Sequence, residues 1–143
     1  MSEQYNELWF TELENKFYTR IKYQLKDRSE APFPKLNCTT VNQVSTPSKF
    51  PTLYLHELKP VEMGSDLYGK QIAALLYTLE IQVYSNVSET DAKEIMAQVI
   101  AEMKKMSFEV REFPDVSTNN KISTAIARFR RIIAYADKDI ETL

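Results

Sequence analysis

The residues best suited to nucleophilic chemistry are the single cysteine, Cys38, and the single histidine, His56. A neighbouring histidine can lower the pKa of a thiol and activate it, provided that a third group orients the imidazole. A hairpin that turns near Pro47 and Ser48 would place Cys38 opposite His56. Neither residue lies at a strand-to-helix corner, where such nucleophiles usually protrude. An ordinary buried or half-buried cysteine and a surface histidine are therefore the favoured interpretation, and a small thiol enzyme is the alternative.

Other sets of catalytic or ligand-binding residues are incomplete in this sequence. One cysteine and one histidine cannot supply the usual ligands of a zinc site. Asp137, Asp139 and Glu141 alternate like the start of a calcium loop, but its glycine and its distant glutamate are missing. Residues 137–143 are therefore interpreted as a solvated tail. Two glycines in the whole chain exclude the glycine-rich loops that bind nucleotide phosphates. We expect no metal, no cofactor and no enzymatic activity.

The densest basic cluster consists of Arg128, Arg130 and Arg131. Contact with phosphates is one interpretation of such a cluster. Cross-strand pairing is the favoured one, because opposite charges that face each other on neighbouring strands attract. Strand alternation makes three carboxylates available as partners: Glu80, Glu109 and Glu112.

The composition is that of one globular domain, here residues 1–143. Apolar residues make up 43% of the chain and charged residues 27%, which is close to globular averages. A formal net charge of −2 provides no overall field that would hold a nucleic acid or an anionic membrane. Residues 1–10 lack the features of a signal peptide, and no apolar stretch approaches the roughly 20 residues that cross a bilayer. A soluble protein made in the cytoplasm is expected.

The first half of the chain reads as one helix followed by strands. Apolar residues recur at three- and four-residue steps over residues 4–28, which predicts an amphipathic helix. This stripe comprises Tyr5, Leu8, Trp9, Leu13, Phe17, Ile21 and Leu25. Prolines at 32 and 34 end the helix. Residues 35–44 and 52–58 are then predicted to form a hairpin, and residues 60–70, which contain both glycines, a mobile-looking loop.

The second half alternates between strands and one helix. Residues 74–86 alternate apolar and polar side chains, which predicts a long, half-buried strand. Ser88 is a candidate N-cap of a second helix whose apolar stripe runs to Met106. Residues 108–113 read as a short strand, residues 114–120 as a turn and residues 121–136 as a last long strand.

These elements predict an α+β fold in the order α-β-β-β-α-β-β. We expect a mostly antiparallel sheet of about five strands with two helices packed on one face. The opposite face would combine polar and apolar side chains, which is typical of a surface that another protein covers. Its members on the two long strands are Thr78, Glu80, Gln82, Tyr84, Ile126, Arg128, Arg130 and Ile132.

With these elements in place, residues 4–137 resemble the tail terminator proteins of long-tailed bacteriophages and related tail-like particles. This family is also called the tail-completion or head-to-tail joining proteins. The resemblance rests on the long amphipathic first helix, the proline-broken entry to residues 33–58, the strand that leads into the helix capped by Ser88, and the closing hairpin of residues 108–135. The segment from Thr124 to Arg131, Thr-Ala-Ile-Ala-Arg-Phe-Arg-Arg, resembles the family's last strand.

The resemblance implies a structural virion protein without catalytic residues. Such a protein forms a homo-oligomeric ring, commonly of six copies, on the last layer of the tail tube. The ring stops further polymerisation and presents a surface to the head-completion or connector protein, while DNA passes through its lumen. The expected location is the head-proximal end of the tail, after assembly in the host cytoplasm. The alternative is another phage neck or head-completion protein, or a tail assembly chaperone.

Ring closure requires two different surfaces on each subunit. The aromatic-rich first helix, the loop of residues 60–70 and the polar sheet face are the candidate regions for contacts with other subunits or with the tube. The candidate interface residues are Trp9, Tyr18, Glu62, Asp66, Tyr68, Glu80, Arg128 and Arg130.

Overall fold

A computed structural model describes residues 9–40, 49–63 and 74–134. The first helical segment consists of a 3₁₀ turn at Trp9–Glu12, the α-helix α1 at Leu13–Lys22 and a π-helical turn at Tyr23–Asp27. The second helix, α2, spans Glu89–Lys105. None of the helices in the described part of the chain combines the length and the apolar character needed to span a bilayer.

The described strands form one mixed sheet of six strands, so the predicted α+β class with a mostly antiparallel sheet is confirmed. Their bounds are β1 Asn37–Thr39, β2 Thr52–Glu57, β3 Val61–Glu62, β4 Ala74–Ser85, β5 Glu109–Asn119 and β6 Ile122–Ala134. The strand order is β1-β2-β4-β6-β5, and β3 pairs with the beginning of β4. The long pair β4–β6 therefore forms the centre of the sheet.

The predicted hairpin between residues 35–44 and 52–58 is wrong, because β1 and β2 pair in parallel. Asn37 lies beside Thr52 and Thr39 beside Tyr54, so both strands run in the same direction. The antiparallel partner of β2 is β4, which pairs with all six residues of β2. The residues between β1 and β2 contain no glycine, so the strongest local signal for a tight hairpin turn is missing.

Two further strand features differ from the prediction. The sixth strand, β3, lies within the predicted loop of residues 60–70, and both glycines of that loop lie outside the described residues. Strand β5 runs through Pro114, where a turn was predicted. Proline is tolerated there because β5 is an edge strand and its register against β6 shifts on both sides of Glu112. The turn itself is only Asn120 and Lys121, both at positive φ, as a two-residue hairpin requires.

Both helices pack on the same face of the sheet, as predicted; we call it the helix face. The apolar stripes of α1 and α2 and the inward residues of β4 and β6 belong to one buried cluster. At its centre, the ring of Phe17 lies 5.4 Å from the ring of Tyr77 and 5.0 Å from that of Phe108. Helix α2 begins as predicted, since the Ser88 side chain accepts a hydrogen bond from the amide of Asp91 at 3.0 Å.

Carboxylates join α1 to the sheet at the end of β2. Glu14 Oε2 accepts the backbone N–H of Glu57 at 2.8 Å, and the buried Tyr77 hydroxyl donates to Glu57 Oε2 at 2.6 Å. Burial raises the pKa of the Glu57 carboxyl, and the negative charge of Glu14 raises it further, although the Tyr77 hydrogen bond opposes both. The ionised Glu57 carboxylate therefore destabilises the folded state.

Replacing Glu57 with glutamine is expected to stabilise the protein at neutral pH. The amide oxygen still accepts the Tyr77 hydroxyl, but the negative charge near Glu14 is gone. Because the folded pKa of Glu57 lies above its unfolded value, the penalty is complete above the folded pKa and absent below the unfolded pKa. Urea denaturation should therefore show Glu57→Gln as the more stable protein at neutral pH and equal to wild type in acid. The exposed Glu12→Gln is the control, and an equal gain at both pH values would contradict this account.

Candidate functional site

The candidate site is the sheet face that the two helices leave uncovered, which we call the open face. Each even-numbered residue of β4 pairs with an even-numbered residue of β6. Because successive side chains of a strand point to opposite faces, the even-numbered side chains of both strands share the open face. Thr78 lies opposite Arg130 and Glu80 opposite Arg128. The remaining predicted members follow the same register, with Gln82 opposite Ile126. Tyr84 and Ile132 lie opposite Thr124 and Leu76, which were not among the predicted members. The mixed polar and apolar composition predicted from alternation is confirmed.

A row of charged and polar side chains crosses the centre of the open face from β2 to β5. Arg128 Nε donates to Glu80 Oε2 at 2.9 Å, and its Nη1 donates to Glu112 Oε1 at 3.5 Å. Gln82 Nε2 donates to Glu80 Oε1 at 2.7 Å. On the other side, His56 Nε2 lies 3.6 Å from Glu80 Oε1. These contacts centre on Glu80 and join β2, β4, β5 and β6. We call them the Glu80 network.

Glu80 is 7% exposed, and its environment keeps it ionised. Burial by itself would raise its pKa, but the hydrogen bonds from Gln82 and Arg128, the nearby His56 and the positive charge of Arg128 together lower the pKa. The ring of His56 stacks on that of Tyr54, with centroids 4.8 Å apart. The buried Glu80 carboxylate therefore lies between His56 of β2 and Arg128 of β6.

The arginine cluster divides between the two faces. Arg128 and Arg130 lie on the open face, where Arg130 Nε donates to Glu109 Oε1, so the predicted cross-strand pairing is confirmed for both. Arg131 lies on the helix face, because successive residues of a strand point to opposite sides. Its Nη1 donates to the Met106 carbonyl at 2.7 Å.

The structure does not bring Cys38 and His56 together. Cys38 lies beside Leu53 on the helix side of the sheet and packs against the core. His56 lies opposite Glu80 on the open face. Burial raises the pKa of the Cys38 thiol to about 11, although Lys26 and Lys22 lower it. The alternative in which the two residues face each other fails, because it required the antiparallel pairing of β1 and β2.

The predicted interface residues occupy different environments. Trp9 is 2% exposed and belongs to the core cluster, as its place in the apolar stripe predicts, so it is not an exposed interface residue. Tyr18 is half-buried, and its hydroxyl donates to the Cys38 carbonyl at 3.0 Å. Glu62 is exposed in β3, whereas Asp66, Tyr68 and the predicted tail of residues 137–143 lie outside the described residues. Three of the predicted residues share the open face: Glu80, Arg128 and Arg130.

Sequence reasoning missed the most exposed aromatic side chain of the described chain, Phe113, which is 73% exposed. The sequence predicts Phe113 as the last residue of a strand that Pro114 ends. The signal for its exposure was this same proline, because a strand that continues through proline must lie at a sheet edge. Val61 and Ile132, at 56% and 53% exposed, add apolar surface at the other end of the open face.

Comparison with known proteins does not assign a role to this surface. No protein-family model matches the chain, and no curated protein sequence matches it at a significant level. The fold of the described residues and the chemistry of the open face are therefore the basis on which a function is proposed.

Proposed function

We propose that this chain is a structural, ring-forming protein that caps a tube of subunits, as the tail terminators of bacteriophages do. The observation that carries the proposal is the open face, a broad sheet surface that combines internally paired charges with exposed apolar side chains. Surfaces of this mixed composition are typical of interfaces between proteins. The proposal therefore assigns the activity to the shape and chemistry of a surface.

Charge pairing within the subunit makes such a surface suitable for assembly. Glu80 pairs with Arg128, and Glu109 pairs with Arg130, before any partner is present. A partner that covers these pairs does not leave an isolated charge buried, which would cost far more than burying a pair. Exposed apolar groups such as Ile126 and Ile132 then contribute the favourable burial.

The mechanism in this proposal is geometric. Copies of the chain close into a ring whose diameter matches the tail tube. One annular surface binds the last layer of the tail tube protein, and the other binds the head-completion or connector protein. DNA passes through the lumen without specific binding, and a formal net charge of −2 avoids a strongly basic lumen.

Particles that lack this protein should carry tails longer than normal, because nothing stops tube polymerisation. Electron microscopy of such particles measures the effect directly. In the matching experiment with purified components, adding the chain to polymerising tube protein should shorten the tubes and place one ring at a tube end. The thermally unfolded chain is the control. Normal tails beside tailless heads would instead indicate a neck or head-completion protein, and normal particles would overturn the proposal.

A further inference from the structure

Strand β1 forms one edge of the sheet, and β2 is the only strand that pairs with it among the described residues. Successive residues of a strand direct their backbone N–H and C=O groups to opposite sides within the plane of the sheet. Asn37 donates its N–H to the Pro51 carbonyl at 2.9 Å, so the backbone groups of Asn37 and Thr39 point toward β2. Those of Cys38 therefore point away from the sheet. We call this outer side of residues 37–39 the β1 edge.

The outward carbonyl of the β1 edge is occupied from within the same chain. A free carbonyl at a sheet edge accepts an N–H from a strand of another molecule, which is how sheets extend into aggregates. The Tyr18 hydroxyl of α1 donates to the Cys38 carbonyl at 3.0 Å. Burial raises the pKa of Tyr18, so the phenol keeps its proton and remains a donor. Since Cys38 is the one residue of β1 whose backbone groups point outward, a single hydroxyl is enough to occupy this acceptor.

Two lysines of the first helical segment lie beside the same edge. Lys22 Nζ is 6.0 Å from the centroid of the Tyr18 ring. Burial raises the pKa of the Cys38 thiol to about 11, and the positive charges of Lys26 and Lys22 oppose this rise, so both ammonium groups lie near Cys38. Lysines at a sheet edge disfavour the addition of a strand, because the strand would have to displace water from a charged group. The helical segment therefore protects the β1 edge by charge as well as by a hydrogen bond.

We propose that Tyr18 closes the β1 edge to strands of other molecules. Tyr18, a predicted interface residue, therefore prevents one kind of association instead of forming an interface. At the opposite edge, Pro114 supplies no N–H, and the register of β5 against β6 shifts on both sides of Glu112, so that edge is interrupted as well. Copies of this chain then meet through surfaces other than the sheet edges. Edge closure does not depend on the proposed tube capping.

The substitution Tyr18→Phe tests this closure, because it keeps the ring and removes the hydroxyl that occupies the Cys38 carbonyl. Well below its melting temperature, the purified variant should form thioflavin-T-positive aggregates about three- to tenfold faster than wild type, the factor that corresponds to one hydrogen bond. Hydrogen exchange measured by mass spectrometry should show that the segment containing Cys38 is better protected in these aggregates than in the monomer. Lost stability alone would not produce this local protection.

Two control variants separate edge closure from other effects of the substitution. Tyr23→Phe also removes a tyrosine hydroxyl from the first helical segment, but Tyr23 is 52% exposed and lies in the π-helical turn. Ile95→Val shortens a fully buried side chain of α2, so it lowers stability while the β1 edge stays intact. Both controls should aggregate at about the wild-type rate. Circular dichroism melts check that all variants are folded.

A wild-type aggregation rate in Tyr18→Phe would overturn edge closure. An equal acceleration in Ile95→Val would also overturn it, because the effect would then come from lost stability. Faster aggregation without added protection around Cys38 has the same consequence. Because these measurements use the purified chain without tube protein, their failure leaves tube capping standing, and normal tails in particles that lack the chain leave edge closure standing.

Discussion

Replacing Phe17 with alanine is expected to lower the free energy of unfolding by about 3–5 kcal/mol, the usual cost of deleting a buried phenyl group. Phe17 is completely buried, and its ring contacts those of Tyr77 and Phe108. These three rings join α1 to the centre and to the edge of the sheet. Truncation removes the apolar burial and leaves a cavity that the surrounding strands cannot fill. Urea denaturation at one fixed protein concentration measures the change, since self-association would add to apparent stability.

The matched control for this change is Tyr23→Ala. Tyr23 lies in the same helical segment but is 52% exposed, so its truncation should alter the free energy of unfolding by no more than about 0.5 kcal/mol. A loss below about 1 kcal/mol for Phe17→Ala would contradict the packing of α1 on the sheet, because surface substitutions lie in that range.

Replacing Arg128 with methionine is expected to cost about 1–2 kcal/mol at neutral pH, allowing for the partial exposure of its side chain. Arg128 supplies a charge-assisted hydrogen bond to the buried Glu80 carboxylate. Without it, Gln82 is the remaining hydrogen-bond donor to Glu80 in the described network. Methionine keeps an unbranched apolar stem in place of the arginine methylenes but lacks the guanidinium, so the change tests the charge and its hydrogen bonds more than the packing.

The pH dependence of this effect has a definite sign. The pKa of Glu80 is lowered in the folded wild type, so its stabilising contribution is complete above the unfolded pKa and is lost as the pH falls through the folded pKa. The cost of Arg128→Met should therefore shrink in acid, where Glu80 is protonated and no longer needs a cation. Urea denaturation of both proteins at neutral and acidic pH measures this difference.

Arg130→Met is the matched control, since Arg130 also pairs with a cross-strand glutamate on the open face. Its partner, Glu109, has a side chain that is 58% exposed, against 10% for Glu80. An exposed pair contributes about 0–1 kcal/mol, so Arg130→Met should cost less and depend less on pH. Equal costs for the two variants would show that the burial of Glu80 has no energetic consequence.

Alternation along β4 and β6 was enough to predict which side chains share the open face. A strand turns successive side chains to opposite sides, so the face of each residue follows from its sequence position alone. The pairing of Arg128 and Arg130 with glutamates was predictable for the same reason. The separation of Arg131 from that cluster also follows from alternation, but its contact with the Met106 carbonyl depends on where α2 ends.

The errors occurred where a prediction required the partner of a segment. Residues 35–44 and 52–58 have strand-like composition, but composition does not say whether β2 pairs with β1 or with β4. The mispredicted hairpin also produced the false opposition of Cys38 and His56. Similarly, Pro114 was interpreted as a turn because its local chemistry disfavours a strand, whereas its position at a sheet edge makes that strand possible.

Within the described residues, which exclude Tyr5 and Leu8 of the first stripe, the sequence by itself determined the helix stripes, the Ser88 cap, the two faces of the long strands and the α+β class. These are properties of short stretches, set by periodicity and by hydrogen bonds between near neighbours. Only the tertiary structure decided the parallel direction of β1 and the exposure of Phe113 on the edge strand β5. The reason is that strand partners and surface neighbours are distant in the chain, and many arrangements satisfy the same local pattern until the core is packed.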